Sequence, residues 1–138
     1  MPSCDLLGTP TRIDLQMVAE LYREAGWWTD APDHPAAVAR IISGSHCFMV
    51  MRAGGRIVAM GRAVSDRASD AYIQDVTVTA SYRGRGLARQ LVGAIVERLR
   101  ADGLGWIGLI AERGTYRLYE PLGFKAMPDA VPMLLTAE

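Results

Sequence analysis

Residues 71–99, AYIQDVTVTASYRGRGLARQLVGAIVERL, hold the feature that most narrows the folds open to this chain. The first nine residues are rich in β-branched side chains and read as a strand. A turn with two glycines and two arginines follows. Then Leu87, Leu91, Ile95 and Leu99 fall on one line at helical spacing, with Ala88, Val92 and Val96 beside them, up to Ala101-Asp102-Gly103. Gly103 suits a left-handed helix stop. A strand running through a short turn straight into a long amphipathic helix commits the chain to a layered α/β architecture.

On either side of this unit the same two periods recur. Residues 12–25 place Leu15, Val18, Leu21, Tyr22 and Ala25 on one helical stripe, opened by Thr11 and Asp14 in a capping-box arrangement and stopped by Gly26. Trp27 and Trp28 follow, then the turn-rich TDAPDHP over 29–35, with Pro35 opening a second helix over 35–42. Strands are expected over 46–52 and 56–65, joined by the hairpin turn Ala53-Gly54-Gly55, and over 71–79. WIGLIA, residues 106–111, reads as a short buried strand. A short helix over 115–120 stops at Pro121, and one or two short strands are expected in the tail, 122–138, which Pro128 and Pro132 interrupt. The order α-α-β-β-β-α-β-α-β, with no linker, predicts one mixed α/β domain over residues 1–138.

Charge narrows the function. Fifteen basic residues balance fifteen acidic ones, so the chain as a whole is not built to coat nucleic acid or a membrane surface. Any anion site must come from local placement. Residues 1–15 hold no apolar run of the signal-peptide kind, and no stretch approaches the ~18 apolar residues of a membrane span. Cys4 and Cys47, with His34 and His46, lack the close pairs of a zinc site, and neither histidine falls in a catalytic pattern. Two unpaired thiols fit a cytoplasmic protein.

Locally the charge is one-sided: from Val76 to Val96 there is no acidic residue, while Arg83, Arg85 and Arg89 surround the turn. A strand that enters a helix leaves free N–H groups at the helix start, where the dipole favours an anion. Gly84 and Gly86 remove side chains, so backbone can approach a phosphate closely. A diphosphate is the expected guest. Arg89 stands where a dinucleotide fingerprint would need its third glycine, and no Walker lysine follows.

YRGRGLA, residues 82–88, resembles the R/Q-x-x-G-x-G/A signature of the GCN5-related N-acetyltransferases, with Arg83, Gly86 and Ala88 at the signature places. RLYEPLGF, residues 117–124, resembles that family's closing motif, with Tyr119 four residues before Gly123-Phe124. The resemblance covers roughly residues 45–125. It implies a central, mostly antiparallel sheet flanked by helices, in which the strands over 71–79 and 106–111 lie parallel and splay apart. It also implies acetyl-CoA as cofactor. Its pyrophosphate is expected on the N–H groups of residues 84–89, that is Gly84, Arg85, Gly86, Leu87, Ala88 and Arg89. Its pantetheine arm is expected on the main chain of Val76 and Val78. The Val78 N–H is expected to polarise the thioester carbonyl.

By the same resemblance, Tyr119 is the general acid for the leaving thiol. Gln74 lies where many relatives place a glutamate or histidine, and glutamine takes no proton near neutral pH. Asp75 is a candidate base, although strand alternation points it away from Gln74's face unless a bulge reorients it. Glu112 and water remain open as well. Glu112 replaces an asparagine often found seven residues before the tyrosine, and Tyr116 a usually small residue, both near the expected pantetheine arm. Tyr22, Trp27 and Trp28, at the end of the first helix, and Tyr72, on Gln74's face, are expected to border the acceptor. The resulting reading is a cytoplasmic N-acetyltransferase with a small primary amine as substrate, direct attack in a ternary complex, no metal, no nucleic-acid or membrane partner, and a homodimer by analogy. Alternatives are a protein N-terminal or lysine acetyltransferase, and a non-catalytic acyl-CoA sensor.

Overall fold

The computed structural model describes residues 2–29 and 34–136. A short strand, β1 (Ser3–Leu6), precedes helix α1 (Arg12–Glu24) and helix α2 (His34–Gly44). Strands β2 (Cys47–Ala53), β3 (Arg56–Ser65) and β4 (Asp70–Val78) follow, then a single 3₁₀ turn (Ala80–Tyr82) and helix α3 (Leu87–Ala101). Strand β5 (Trp106–Leu109), the one-turn helix α4 (Tyr116–Tyr119) and a 3₁₀ turn (Glu120–Leu122) complete the elements. The five strands form one sheet in sequence order. The first four are antiparallel and β5 joins β4 in parallel.

The sheet is covered on both faces, which explains why β2 is buried along CFMVM without polar alternation. Phe48 and Val50 face α1 and α2, packing with Val18, Tyr22 and Val38. Met49 and Met51 face α3, packing with Leu91, Ile95 and Leu99. Leu91, Ile95 and Leu99 are completely buried, contributing roughly 1.5–3 kcal/mol each by the area rule. The Thr11–Asp14 capping box is present, with the Asp14 amide donating to Thr11 Oγ1 at 3.1 Å and the Thr11 amide to Asp14 Oδ2 at 2.9 Å.

One glycine sets the height of α3 over the sheet. A Cβ on Gly61 of β3 would lie 3.1–3.3 Å from side-chain carbons of Ile95, Val76 and Leu91. The helix therefore presses closest on the sheet beside the middle of β4, where the site forms.

Three expectations change. The run over 106–111 is a strand only over Trp106–Leu109 and is not buried, with Trp106 38% and Ile110 60% exposed, since the ladder to β4 ends at Leu109. β1 carries no readable apolar pattern because it is a four-residue edge strand with mostly exposed side chains. The tail forms no strand among its described residues, 123–136. Pro128 and Pro132 cannot donate to a ladder, and Val131, Met133, Leu134 and Leu135 are 78–98% exposed. In the loop expected over 29–35, residues 30–33 lie outside the described residues.

Candidate active site

The parallel ladder between β4 and β5 runs from Asp70↔Trp106 to Ile73↔Leu109 and stops there, while β4 continues to Val78. The strands splay, and a cleft of about 890 Å³ opens between them. That volume is in the range of small-molecule sites.

A bulge shapes the β4 bank. In β3, Met60 pairs with Thr77 and Arg62 with Gln74, so Gly61 alone opposes Asp75 and Val76. Asp75 takes up the extra residue with φ 59°, a left-handed conformation that aspartate tolerates better than most side chains. The bulge resets alternation: Ile73, Val76 and Val78 all pack toward α3. Asp75 is thereby turned to the α1 side, as Gln74 is, and both meet Arg62. Strict alternation had placed Asp75 opposite Gln74; the inserted residue is why it is not.

The main chain of β4 follows the same logic. The Thr79 amide donates to the Val58 carbonyl at 2.8 Å, so Thr79 is bonded to β3. Alternate residues of an antiparallel strand direct their amides to opposite sides. Val78 therefore turns its N–H and C=O away from β3, into the cleft. Arg83 Nε already reaches that carbonyl, at 2.9 Å, and ties the glycine–arginine turn to the strand.

At one end of the cleft stands the start of α3. Gly84 and Gly86 adopt φ 76° and 77°, with nothing within 4 Å of where a side chain would begin. The first bond of the helix runs from the Gln90 amide to the Gly86 carbonyl, at 3.1 Å. The amides of Leu87, Ala88 and Arg89 precede it and have no helical acceptor. No side chain caps this end and no acidic residue lies in its first turn. Gly84, Leu87 and Ala88 line the cleft. Arg85, Gly86 and Arg89 are exposed and fall outside the cleft lining; Arg85 has its guanidinium 4.7 Å from the Tyr82 ring centre and borders a separate hollow with Arg52 and Gly54.

Tyr119 lines the facing bank. Its ring is buried against Phe124, with centres 6.2 Å apart, and burial raises its pKa above the ordinary 10.0. Glu112 lines the same bank. Tyr116 does not: it is exposed, outside the cleft lining, with Arg117 over its ring.

The acceptor end is built differently from expectation. Trp27 and Tyr72 line the cleft, with Gln74 and Asp75. Tyr22 is 2% exposed and Trp28 stacks on it at 4.2 Å, so neither aromatic face is open to a substrate. Tyr22 instead sends its hydroxyl to Asp75 Oδ2, at 2.7 Å. Burial, then the Asp75 charge, raises the Tyr22 pKa, keeping the phenol a donor. Two contributors escaped the sequence reading. Arg62 pairs with Asp75 at 2.7 Å, and Glu24, at the end of α1, accepts from Thr79 Oγ1 at 2.8 Å and borders the cleft. A lone arginine inside the apolar run IVAMGRAV, residues 57–64, was the available signal for Arg62. Among the described residues no group of acidic, histidine or cysteine side chains could hold a metal ion.

Three comparisons bear on this arrangement. The model of the acetyltransferase (GNAT) family matches residues 15–124. GCN5-related N-acetyltransferase 2, chloroplastic, of Arabidopsis thaliana is 38% identical over 76 residues, covering 55% of this chain and 30% of that protein. Serotonin N-acetyltransferase 2, chloroplastic, of Oryza sativa is 40% identical over 77 residues, covering 56% of this chain and 38% of that protein. The chain thus spans about a third of the length of these curated relatives. A Staphylococcus aureus protein of unknown function shares the fold with a TM-score of 0.82 and 20% identity, over 99% of this chain and all of that one. The chain belongs to the acetyltransferase (GNAT) family.

Proposed function

We propose that this protein is an N-acetyltransferase that moves the acetyl group of acetyl-CoA, the acyl donor of its family, to a primary amine of a small molecule. One observation carries the reading: a single cleft joins the uncapped start of α3, the outward main chain of Val78 and the side chain of Tyr119. The residues fit the donor. Glycines in left-handed geometry leave the amides of residues 84–89 uncovered, as a diphosphate requires. The main chain of Val76 and Val78 offers an edge for an added strand, which suits the amides of a pantetheine arm. Glu112 borders the same stretch.

When bound, acetyl-CoA supplies an activated acetyl thioester. The Val78 N–H is the donor aimed at the thioester oxygen, where negative charge develops; losing one such donor costs roughly 10²–10³ in rate elsewhere. Tyr119 gives its proton to the leaving sulfur, so the proton gained there balances the one the amine gives up. A phenol with a raised pKa is fully protonated at neutral pH and ready for this role. Gln74 accepts no proton, and the amine's proton passes to Asp75 or to water. Neither cysteine lines the cleft, in keeping with direct attack in a ternary complex. Trp27 and Tyr72 give the acceptor end aromatic walls, and the rice relative is named for an aromatic amine. A single domain, a cytoplasmic location and a homodimer complete the reading. Among the described residues no helix is long and apolar enough to cross a membrane.

A second reading, a non-catalytic acyl-CoA sensor, draws on the same site, because Asp75 already holds two donors and Gln74 is no base. A thiol-release assay with acetyl-CoA and a panel of amines, aromatic ones included, separates the two. Amine-dependent release supports the enzyme. Tight acetyl-CoA binding with no release across the panel supports the sensor. Failure to bind acetyl-CoA at millimolar concentration removes both.

A further inference from the structure

Arg62 lies in the middle of the sheet, with its side chain only 17% exposed. Its guanidinium is divided among three partners: Nε to Asp75 Oδ2 at 2.7 Å, Nη2 to Gln74 Oε1 at 3.3 Å, and Nη1 to Ser45 Oγ at 3.4 Å. The Tyr22 hydroxyl donates to the same Asp75 oxygen at 2.7 Å, and the Tyr22 ring is itself fixed against Trp28 at an interplanar angle of 7°. Oδ2 is thus held by two donors from two different elements. Oδ1 has no hydrogen-bond partner among the described residues, is not a sealed buried atom, and belongs to a residue that lines the cleft. The backbone adds to the constraint, since Asp75 sits at the bulge with φ 59°. A largely buried carboxylate needs partners for its charge; here they all fall on Oδ2 and leave Oδ1 fixed in place and unclaimed.

We propose that Asp75 binds the acceptor, its Oδ1 receiving an N–H of the incoming amine, and that Arg62 is the positioning residue that holds the carboxylate for this contact, with Tyr22 as its second support. The assignment rests on the acetyltransferase reading above and names the part of the cleft that selects the acceptor. A carboxylate oxygen held this way can receive one N–H of a primary amine while the nitrogen lone pair faces the thioester. Fixing the nitrogen matters because attack requires the reacting atoms at roughly 3–3.5 Å.

The test is steady-state kinetics on Arg62→Met, Arg62→Lys, Asp75→Asn, Tyr22→Phe and the double variant Arg62→Met/Asp75→Asn, with acetyl-CoA affinity and melting temperature measured alongside. The expected result is an acceptor KM raised about 10–100-fold by Arg62→Met and by Asp75→Asn, with acetyl-CoA affinity within about 2-fold of the parent. The double variant is no worse than the worse single one, because both remove one contact. Arg62→Lys recovers part of the loss, since an ammonium still reaches Asp75 but cannot also hold Gln74 and Ser45. Tyr22→Phe, which deletes only a hydroxyl, raises acceptor KM about 3–10-fold and keeps the test alive should Arg62→Met not fold. An unchanged acceptor KM in folded variants overturns the proposal. So do additive losses, or losses that follow acetyl-CoA affinity and melting temperature. A parent protein that turns over no amine fails one step earlier, at the acetyltransferase reading, and takes this assignment with it.

Discussion

The two ends of the cleft are made by different means. The end proposed for the phosphates is a piece of continuous chain: Gly84, Gly86 and the first turn of α3 present main-chain amides, and the arginines around them come from the same seven residues. The acceptor end is assembled from side chains that lie far apart in sequence. Tyr22 and Asp75 are 53 residues apart and Arg62 and Asp75 are 13 apart, yet they share one carboxylate oxygen. An end made of backbone tolerates side-chain change and fails when a glycine does. An end made of side chains can be retuned one substitution at a time. The contrast suits a site where one ligand is constant and the other differs among relatives.

The sharpest way to probe this contrast is at the point where the ends meet. Tyr119→Phe is expected to lower kcat by roughly 10²–10⁴ while acetyl-CoA affinity stays nearly unchanged, since it removes a proton and no phosphate contact. Steady-state kinetics with calorimetry checks it. Its pH signature has a definite sign. The acid must be protonated to act, and burial raises its pKa, so its contribution is lost as pH rises through a value above the ordinary 10.0. That alkaline limb should vanish in the phenylalanine variant.

Next in size is Gly86→Val, which forces a β-branched residue into φ 77° at the helix start. The acetyl-CoA dissociation constant should rise about 10–100-fold, with acceptor KM nearly constant once the donor saturates. If acceptor KM moved as much, the two ends would not be separable. The smallest effect is expected from Trp27→Ala. Trp27 is 41% exposed and lines the cleft, where we propose that it borders the acceptor. Acceptor KM should rise about 3–10-fold for aromatic amines and less for aliphatic ones, with no change in acetyl-CoA affinity. Equal losses for both amine classes would show that Trp27 walls the cleft without reading the acceptor.

The same contrast explains what could be read in advance. The strand–turn–helix over 71–101 and the position of Tyr119 are local patterns, and both stand where the sequence placed them. The main chain of Val78 was singled out by the family resemblance; the strand alone does not say which alternate amides are bonded to β3. Arg62 stands out as a charge in an apolar strand, but its partner could not be read because it depends on register: only when Gly61 opposes two residues of β4 does Asp75 turn toward it. Trp28 and Tyr22 were read as open aromatic walls because a sequence shows aromatic content and not which ring covers the other. Tyr116 sits on a helix of a single turn, where one residue of offset moves a side chain from cleft to solvent. β1 and the tail show the opposite failure: an exposed edge strand without apolar periodicity, and an apolar stretch that builds no ladder.

Beyond Ile73 and Leu109 the sheet is left unzipped. A guest that occupies the gap in extended form would act as its missing rung, fastening β4 to β5 as well as seating itself. Seating the guest and stiffening the sheet are then linked, so the melting temperature should climb as the concentration of free guest rises.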